Sequence, residues 1–248
     1  MLLEKSGEGL NLADYVSTEF LQRAKGRNDF LDRFSCIKGA AEGVQSSMAE
    51  MEKQLRVYVC RQDVKSAAYF EEAVRLFFFL SSTDVHRKFL STLSNSELQD
   101  KVLDNLPLNL EHLDLSGCKW VEDYNVERIL KYHSLKILNL GHCSQISNQA
   151  VKGLGNLEQL EVLSLRGCTQ LKSAIISPLS SLRCLRELDL SNGPKLELED
   201  VRILERGMDR KVNVKFDPLY VYLMDPKVSL PGGGFMLLYY SVRQGMMA

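Results

Sequence analysis

The sequence lacks most of the features that announce chemistry. Its four histidines are scattered over 248 residues, and among its six cysteines no two form a C-x2-C pair. Zinc sites are commonly built from such close-spaced pairs, so no metal centre is expected. No G-x-S-x-G, G-x-x-x-x-G-K-[ST], G-x-G-x-x-G or H-E-x-x-H occurs, which removes the common nucleophile, phosphate-loop and zinc-hydrolase patterns. Charge of one sign is lacking as well. Thirty-one Lys and Arg oppose 32 Asp and Glu, for a net charge of −1. A general nucleic-acid binder carries a basic excess, so direct nucleic-acid binding is not expected.

Long apolar runs are missing too. The densest, Leu76–Leu80 (LFFFL), is far below the length of a membrane span. The first residues, MLLEKSGEGLNLADY, have neither the basic start nor the apolar stretch of a secretory signal, and are too acidic for a typical transit peptide. Six cysteines in a chain this long do not make a disulfide-stapled miniprotein. The expectation is a reducing intracellular compartment, with cytoplasm and mitochondrial matrix both open.

What the sequence does contain divides into unlike parts. Residues 1–107 show helical periodicity and no internal repeat. Leu12–Lys25 places Leu12, Tyr15, Val16, Phe20 and Leu21 near a 3.6-residue period. Ile37–Cys60 reads as the longest helix, with Ala40, Val44, Met48, Met51, Leu55 and Val59 along one stripe. Ala67–Leu80 and Asp84–Leu93 come next. A last helix opens at Ser96, which can cap while Gln99 reaches back. This half either packs as a bundle against the second half of the chain or stands as an independent docking domain.

From about Asn109 to Phe216 the logic changes to repetition. Stepping by 25 from Leu115 reaches Leu140, Leu165 and Leu190. Leu113, Leu138, Leu163 and Leu188 form a second column, and Leu110, Leu135, Leu160 and Leu185 a third. Cys118, Cys143 and Cys168 follow, with Gly193 in the fourth copy, and then Val121, Ile146, Leu171 and Leu196. The L-x-L step has the strand period of two, and segments such as Asn148–Leu154 switch to helical spacing. One such coil cannot bury its apolar face alone, whereas stacked coils share a core.

The pattern L-x-x-L-x-L-x-x-C is the leucine-rich-repeat signature. LEHLDLSGCKWVEDYNVERIL and LKILNLGHCSQISNQAVKGL resemble the cysteine-containing leucine-rich-repeat family, including its acidic or Asn position at Asp123 and Asn148. That resemblance implies an α/β fold: a short solenoid of four to five repeats over residues 108–217, preceded by the helical region 1–107. The fourth copy departs from it, with Gly193 for Cys and Leu198 at the acidic position, and Pro178 interrupts the third helical arc. Val212-x-Val214-x-Phe216 imitates a fifth strand displaced by one residue. Residues 218–248 hold apolar runs at Leu219–Met224 and Phe235–Val242, which either pair as a closing hairpin or form an extension that another subunit covers. Gly232–Gly234 between them reads as a flexible turn.

The family resemblance also implies partners. F-box/leucine-rich-repeat proteins recruit substrates to ubiquitin ligases, but residues 1–107 show no F-box: their one Leu-Pro, Leu106–Pro107, stands at the end of the region where it cannot open one, and the Cys-x-x-Trp-like close is missing. Small repeat proteins of this kind also serve in mitochondrial or ribonucleoprotein complexes. The leading expectation is a non-enzymatic scaffold or accessory subunit with protein partners, no cofactor and no small-molecule substrate.

The recurring leucines and cysteines are read as scaffold, the thiols acting as small apolar side chains. Candidate binding residues are those between the leucines, which face outward on the concave side of the strands: His112, Asp114, Ile137, Asn139, Val162, Ser164, Arg166, Glu187 and Asp189. Ile137 and Val162 supply an apolar centre with polar residues around it, the arrangement protein interfaces use. Small residues at Ser116, Gly141 and Ser191 leave room for an approaching chain.

Overall fold

The structure, a computed structural model, describes residues 28–208 and 212–216. The Leu12–Lys25 helix and the two apolar runs of residues 218–248 lie outside them. The fold is mixed α/β, and its described residues separate into two compact units: residues 28–107 without 90–92, and residues 90–92 with 108–216.

The first unit consists of helices α1 (Asn28–Ala41), α2 (Gln45–Arg61), α3 (Val64–Leu80), α4 (Thr83–Thr92, which lends its last residues to the second unit) and α5 (Ser96–Asp104). The expected single helix over Ile37–Cys60 is two helices. Gly43 sits at φ +82°, its N–H donates to Ala40 O at 3.0 Å, and Val44 N–H donates to Gly39 O at 2.9 Å. That is a Schellman stop, for which glycine supplies the left-handed residue. The apolar stripe continues through it, which is why periodicity alone misses the break. Met48, Met51, Leu55 and Val59 are buried as expected, whereas Val44 at the turn is exposed.

Helix starts follow local chemistry. Asp63 caps α3 by accepting from Ser66 N–H at 2.8 Å, so the helix begins three residues before the expected Ala67. At α5 the cap is Asn95, which accepts from Leu98 N–H at 2.8 Å. Ser96 is the first helical residue, and the Gln99 amide donates instead to Leu93 O at 2.8 Å. Two capping-competent side chains stand side by side there, and the amide oxygen one residue earlier takes the role.

Phe77, Phe78, Phe89 and His86 share an aromatic cluster, with the His86 ring 4.4 Å from Phe78 and 5.8 Å from Phe77 between centroids. His86 is buried. Its ring nitrogens face the carbonyls of Phe78 and Ser81 without reaching hydrogen-bond geometry to any described group. Burial pushes its pKa down from 6.5 to about 4. The unfolded chain therefore binds the extra proton first as pH falls. Stability is full above about pH 6.5 and declines by roughly 3 kcal/mol as pH drops towards 4. His86→Leu should flatten that part of a urea-denaturation pH profile; an unchanged slope would place its origin elsewhere.

The second unit is built on a five-stranded parallel sheet in the order β1 (His112–Asp114), β2 (Ile137–Asn139), β3 (Val162–Ser164), β4 (Glu187–Asp189) and β5 (Asn213–Lys215). Spatial order equals chain order, so each connection returns the chain to the neighbouring place. Leu113, Leu138, Leu163, Leu188 and Val214 lie in one register row, all buried. The first three steps are of 25 residues and the last is of 26, where the sequence places its displaced fifth strand.

The connections carry helices α6 (Asp123–Ile129), α7 (Asn148–Leu154), α8 (Ile176–Ser180) and α9 (Leu198–Gly207). In the third, a 3-10 turn at Ser173–Ile175 precedes α8, and Pro178 holds the helical part to five residues. Val121, Ile146, Leu171 and Leu196 are buried below the turns, and Ile129, Leu154, Leu179 and Leu204 below the helices. Among the described residues no helix is long and apolar enough to cross a membrane.

Candidate functional site

Every strand of the sheet alternates. Leu113, Leu138, Leu163 and Leu188 point inward, and the residues on either side of each remain half or fully exposed. Parallel pairing aligns His112, Ile137, Val162, Glu187 and Asn213 in one row, and Asp114, Asn139, Ser164, Asp189 and Lys215 in another. All the strand residues singled out in the sequence thus share one face, with Ile137 directly beside Val162. Arg166 lies two residues beyond β3, exposed, alongside Gly141 and Ser191 in the same cross-strand row.

Part of this face has a local task. Asp114 Oδ1 accepts from Ser116 N–H at 2.8 Å, Asn139 Oδ1 from Gly141 N–H at 2.9 Å, and Asp189 Oδ1 from Ser191 N–H at 2.9 Å. A short side-chain oxygen bonding its own backbone two residues on forms an Asx turn, which bends the chain out of the strand. The residue that completes each bend has a positive φ: Gly117 (+74°), His142 (+60°), Gly167 (+70°) and Asn192 (+55°). Glycine adopts this conformation freely, and Asn and His are among the side-chain types enriched in it. His142 lies over Gly167, where an added Cβ would stand 2.4 Å from its Nδ1. Gly167→Ala should therefore cost about 2 kcal/mol, from left-handed strain together with that overlap. Urea midpoints of the two proteins check it, and equal midpoints would show that the turn gives way freely.

One row lies outside the positions singled out from the sequence. Just before the strands stand Glu111, Lys136, Glu161 and Arg186, alternating in sign from copy to copy. Lys136 Nζ meets Glu111 at 2.8 Å and holds that carboxyl below the usual carboxylate range. Arg186 Nη1 meets Glu161 at 3.3 Å. Lys215 pairs with Glu187 one row along, so Glu187 is engaged within the chain and the Lys215 ammonium is held above its usual range. The signal is present in the sequence: stepping by 25 from Glu111 yields the alternation, but charged positions do not reveal themselves as apolar columns do.

The cysteines stack in the interior. Cys118, Cys143 and Cys168 are buried, and all six thiols of the chain are free. Cys143 Sγ donates to Leu115 O and Cys168 Sγ to Leu140 O, both at 3.2 Å, tying each turn to the strand end of the preceding copy. Burial raises the Cys143 thiol strongly and pushes Cys168 up to about 12. A thiol at such a value supplies almost no thiolate at neutral pH, and thiolate is the reactive form. Under native conditions a disulfide reagent should modify exposed Cys60 and leave these three untouched until denaturant is added. Peptide mass mapping decides it, and label on native Cys143 would contradict the packing. Among the described residues no group of His, Cys, Asp and Glu is arranged to hold a metal ion.

A second row of side-chain bonds links the connections. Asp123 accepts from Ser147 N–H at 2.7 Å and Ser147 Oγ–H at 2.6 Å, and Asn148 Oδ1 accepts from Lys172 N–H at 2.9 Å. The acidic or Asn position thus bonds the first copy to the second and the second to the third. An open polar groove of about 530 Å³ runs past Ser144, Gln145, Ser147, Asn148, Gln170 and Lys172. Its Ser147 and Asn148 oxygens are already used in these links.

No family model matches the chain, and no curated protein matches its sequence.

Proposed function

We propose that residues 108–217 form a leucine-rich-repeat solenoid and that the protein is a non-enzymatic scaffold or accessory subunit, binding protein partners on the outward face of its strands. The observation that carries this reading is the register of β1 to β4. Inward positions repeat the same residue in every copy, and outward positions vary from copy to copy. A face held rigid by its backbone and varied in its side chains suits recognition. The adjacent Ile137 and Val162, half-exposed amid polar neighbours, supply an apolar anchor with a polar rim. His112, Asp114, Asn139, Ser164, Arg166, Glu187 and Asp189 complete the surface, some of them holding the turns and so fixing its shape.

The test is the double variant Ile137→Arg with Val162→Arg. Both side chains already reach solvent, so the thermal transition should stay within a few degrees of the parent's. Two buried guanidinium groups without partners should weaken a central anchor by at least about 30-fold. Affinity purification from cells with parent and variant should lose at least one parent-bound protein. An unchanged set of bound proteins would remove the binding face from consideration.

A further inference from the structure

The charges on this face are not equally free. Glu111 is paired with Lys136, Glu161 with Arg186, and Glu187 with Lys215. Asp114 and Asp189 turn an oxygen back onto the N–H groups of Ser116 and Ser191, and Asp189 also accepts from Ser191 Oγ–H at 2.6 Å. Arg166 differs. It is exposed, and its guanidinium makes no ion pair or hydrogen bond with any described residue. Its cross-strand neighbours among the described residues, Gly141 and Ser191, are both small.

The geometry points to Arg166 as the reader of a carboxylate on a partner segment whose apolar side chain rests on Ile137 and Val162. This rests on the binding-face reading above. An unpaired guanidinium offers a planar fork of donors that matches a carboxylate with two parallel hydrogen bonds, and a lysine could not reproduce that match. Val162 and Arg166 are four residues apart along β3 and its extension, about 13 Å at strand rise. An arginine side chain is long enough to reach along part of that distance. An extended segment running along the strand therefore places its acidic residue roughly three positions from its apolar anchor. The occupant is a peptide segment of a protein partner with one aliphatic or aromatic residue and one Asp or Glu at that spacing. Asp189, in the adjacent strand, opposes a second negative charge nearby, so an extensively acidic tract is disfavoured.

A random heptapeptide display library selected on the full chain tests this directly. The parent should enrich peptides with an Asp or Glu about three residues from an apolar residue. Arg166→Glu should reverse the preference to Lys or Arg while keeping the apolar one. For one enriched peptide, Arg166→Ala should weaken binding by about 10- to 30-fold, with Arg166→Lys recovering only part of the loss. Three outcomes separate the ideas. Peptides whose acidic preference disappears or reverses in Arg166→Glu support the assignment. Enrichment that is lost in the Ile137→Arg, Val162→Arg double variant but carries no acidic preference, or is unaltered in Arg166→Glu, overturns the role of Arg166 and leaves the face standing. No enrichment by the parent beyond the double variant overturns the binding face, and this inference with it.

Discussion

Restoring the repeat's own cysteine in the fourth copy, by Gly193→Cys, is expected to destabilise the protein by about 3 kcal/mol or more. By sequence alone the change looks stabilising, since it completes the column Cys118, Cys143, Cys168. The backbone argues otherwise. A Cβ on Gly193 would lie 2.5 Å from Cys168 N, 2.7 Å from Gly167 N and 2.9 Å from Gly167 C. These are main-chain atoms inside a packed turn, so no flexible side chain can yield. In the earlier copies the cysteine N–H donates to the leucine carbonyl three residues back, at 3.1 Å for Cys118 and 3.2 Å for Cys143 and Cys168. The fourth turn is wired differently. Lys195 N–H reaches Leu171 O at 2.9 Å, Leu196 N–H bonds to Pro194 O, and the chain lies close against the copy before it. Urea denaturation of parent and variant measures the difference. A midpoint equal to or above the parent's would mean that the fourth turn can open to admit the thiol.

Leu163→Ala should be of similar or larger size, about 3 to 5 kcal/mol. Leu163 is fully buried, and its strand is the middle one, with Leu138 and Leu188 in register on either side. β3 pairs with both β2 and β4, so a cavity beneath it weakens two interfaces, while one at Val214, beneath β5, borders β4 alone among the described strands. The one-sided change Val162→Ala, on the outward face, is the control and should cost below about 1 kcal/mol. Denaturant midpoints of these variants, measured together, test both the direction of the side chains and the nearest-neighbour character. If Val162→Ala proved as costly as Leu163→Ala, the alternation of inward and outward residues would be misassigned.

The sequence is most legible where one physical cause repeats. Leu113, Leu138, Leu163 and Leu188 answer to a single requirement, burial beneath a strand, and stepping by 25 exposes it four times over. Their outward neighbours can be named for the same reason, because a strand that buries one residue presents the next. Legibility fails where a single local bond decides. The helix break at Gly43 depends on two backbone hydrogen bonds that leave the apolar stripe intact. The choice of Asn95 over Ser96 as a cap depends on which of two adjacent oxygens reaches Leu98 N–H. Glu187 looks like a free rim charge in the sequence because its partner, Lys215, lies beyond the last regular repeat, at a step of 26. Asp114, Asn139 and Asp189 read there as surface alone, although their oxygens also shape the turns.

The charged row before the strands has a bearing on how many copies such a protein can hold. Its ion pairs are solvent-exposed and contribute little to stability individually. Their arrangement matters more: Glu111 meets Lys136 and Glu161 meets Arg186, acids in the odd copies and bases in the even ones. Excising one 25-residue copy from the middle would splice acid against acid or base against base, whereas excising two adjacent copies would preserve the alternation. Like charges directly opposite in neighbouring strands are mildly destabilising, by up to about 1 kcal/mol. On this term alone, an internal excision of two adjacent copies should be tolerated slightly better than an excision of one.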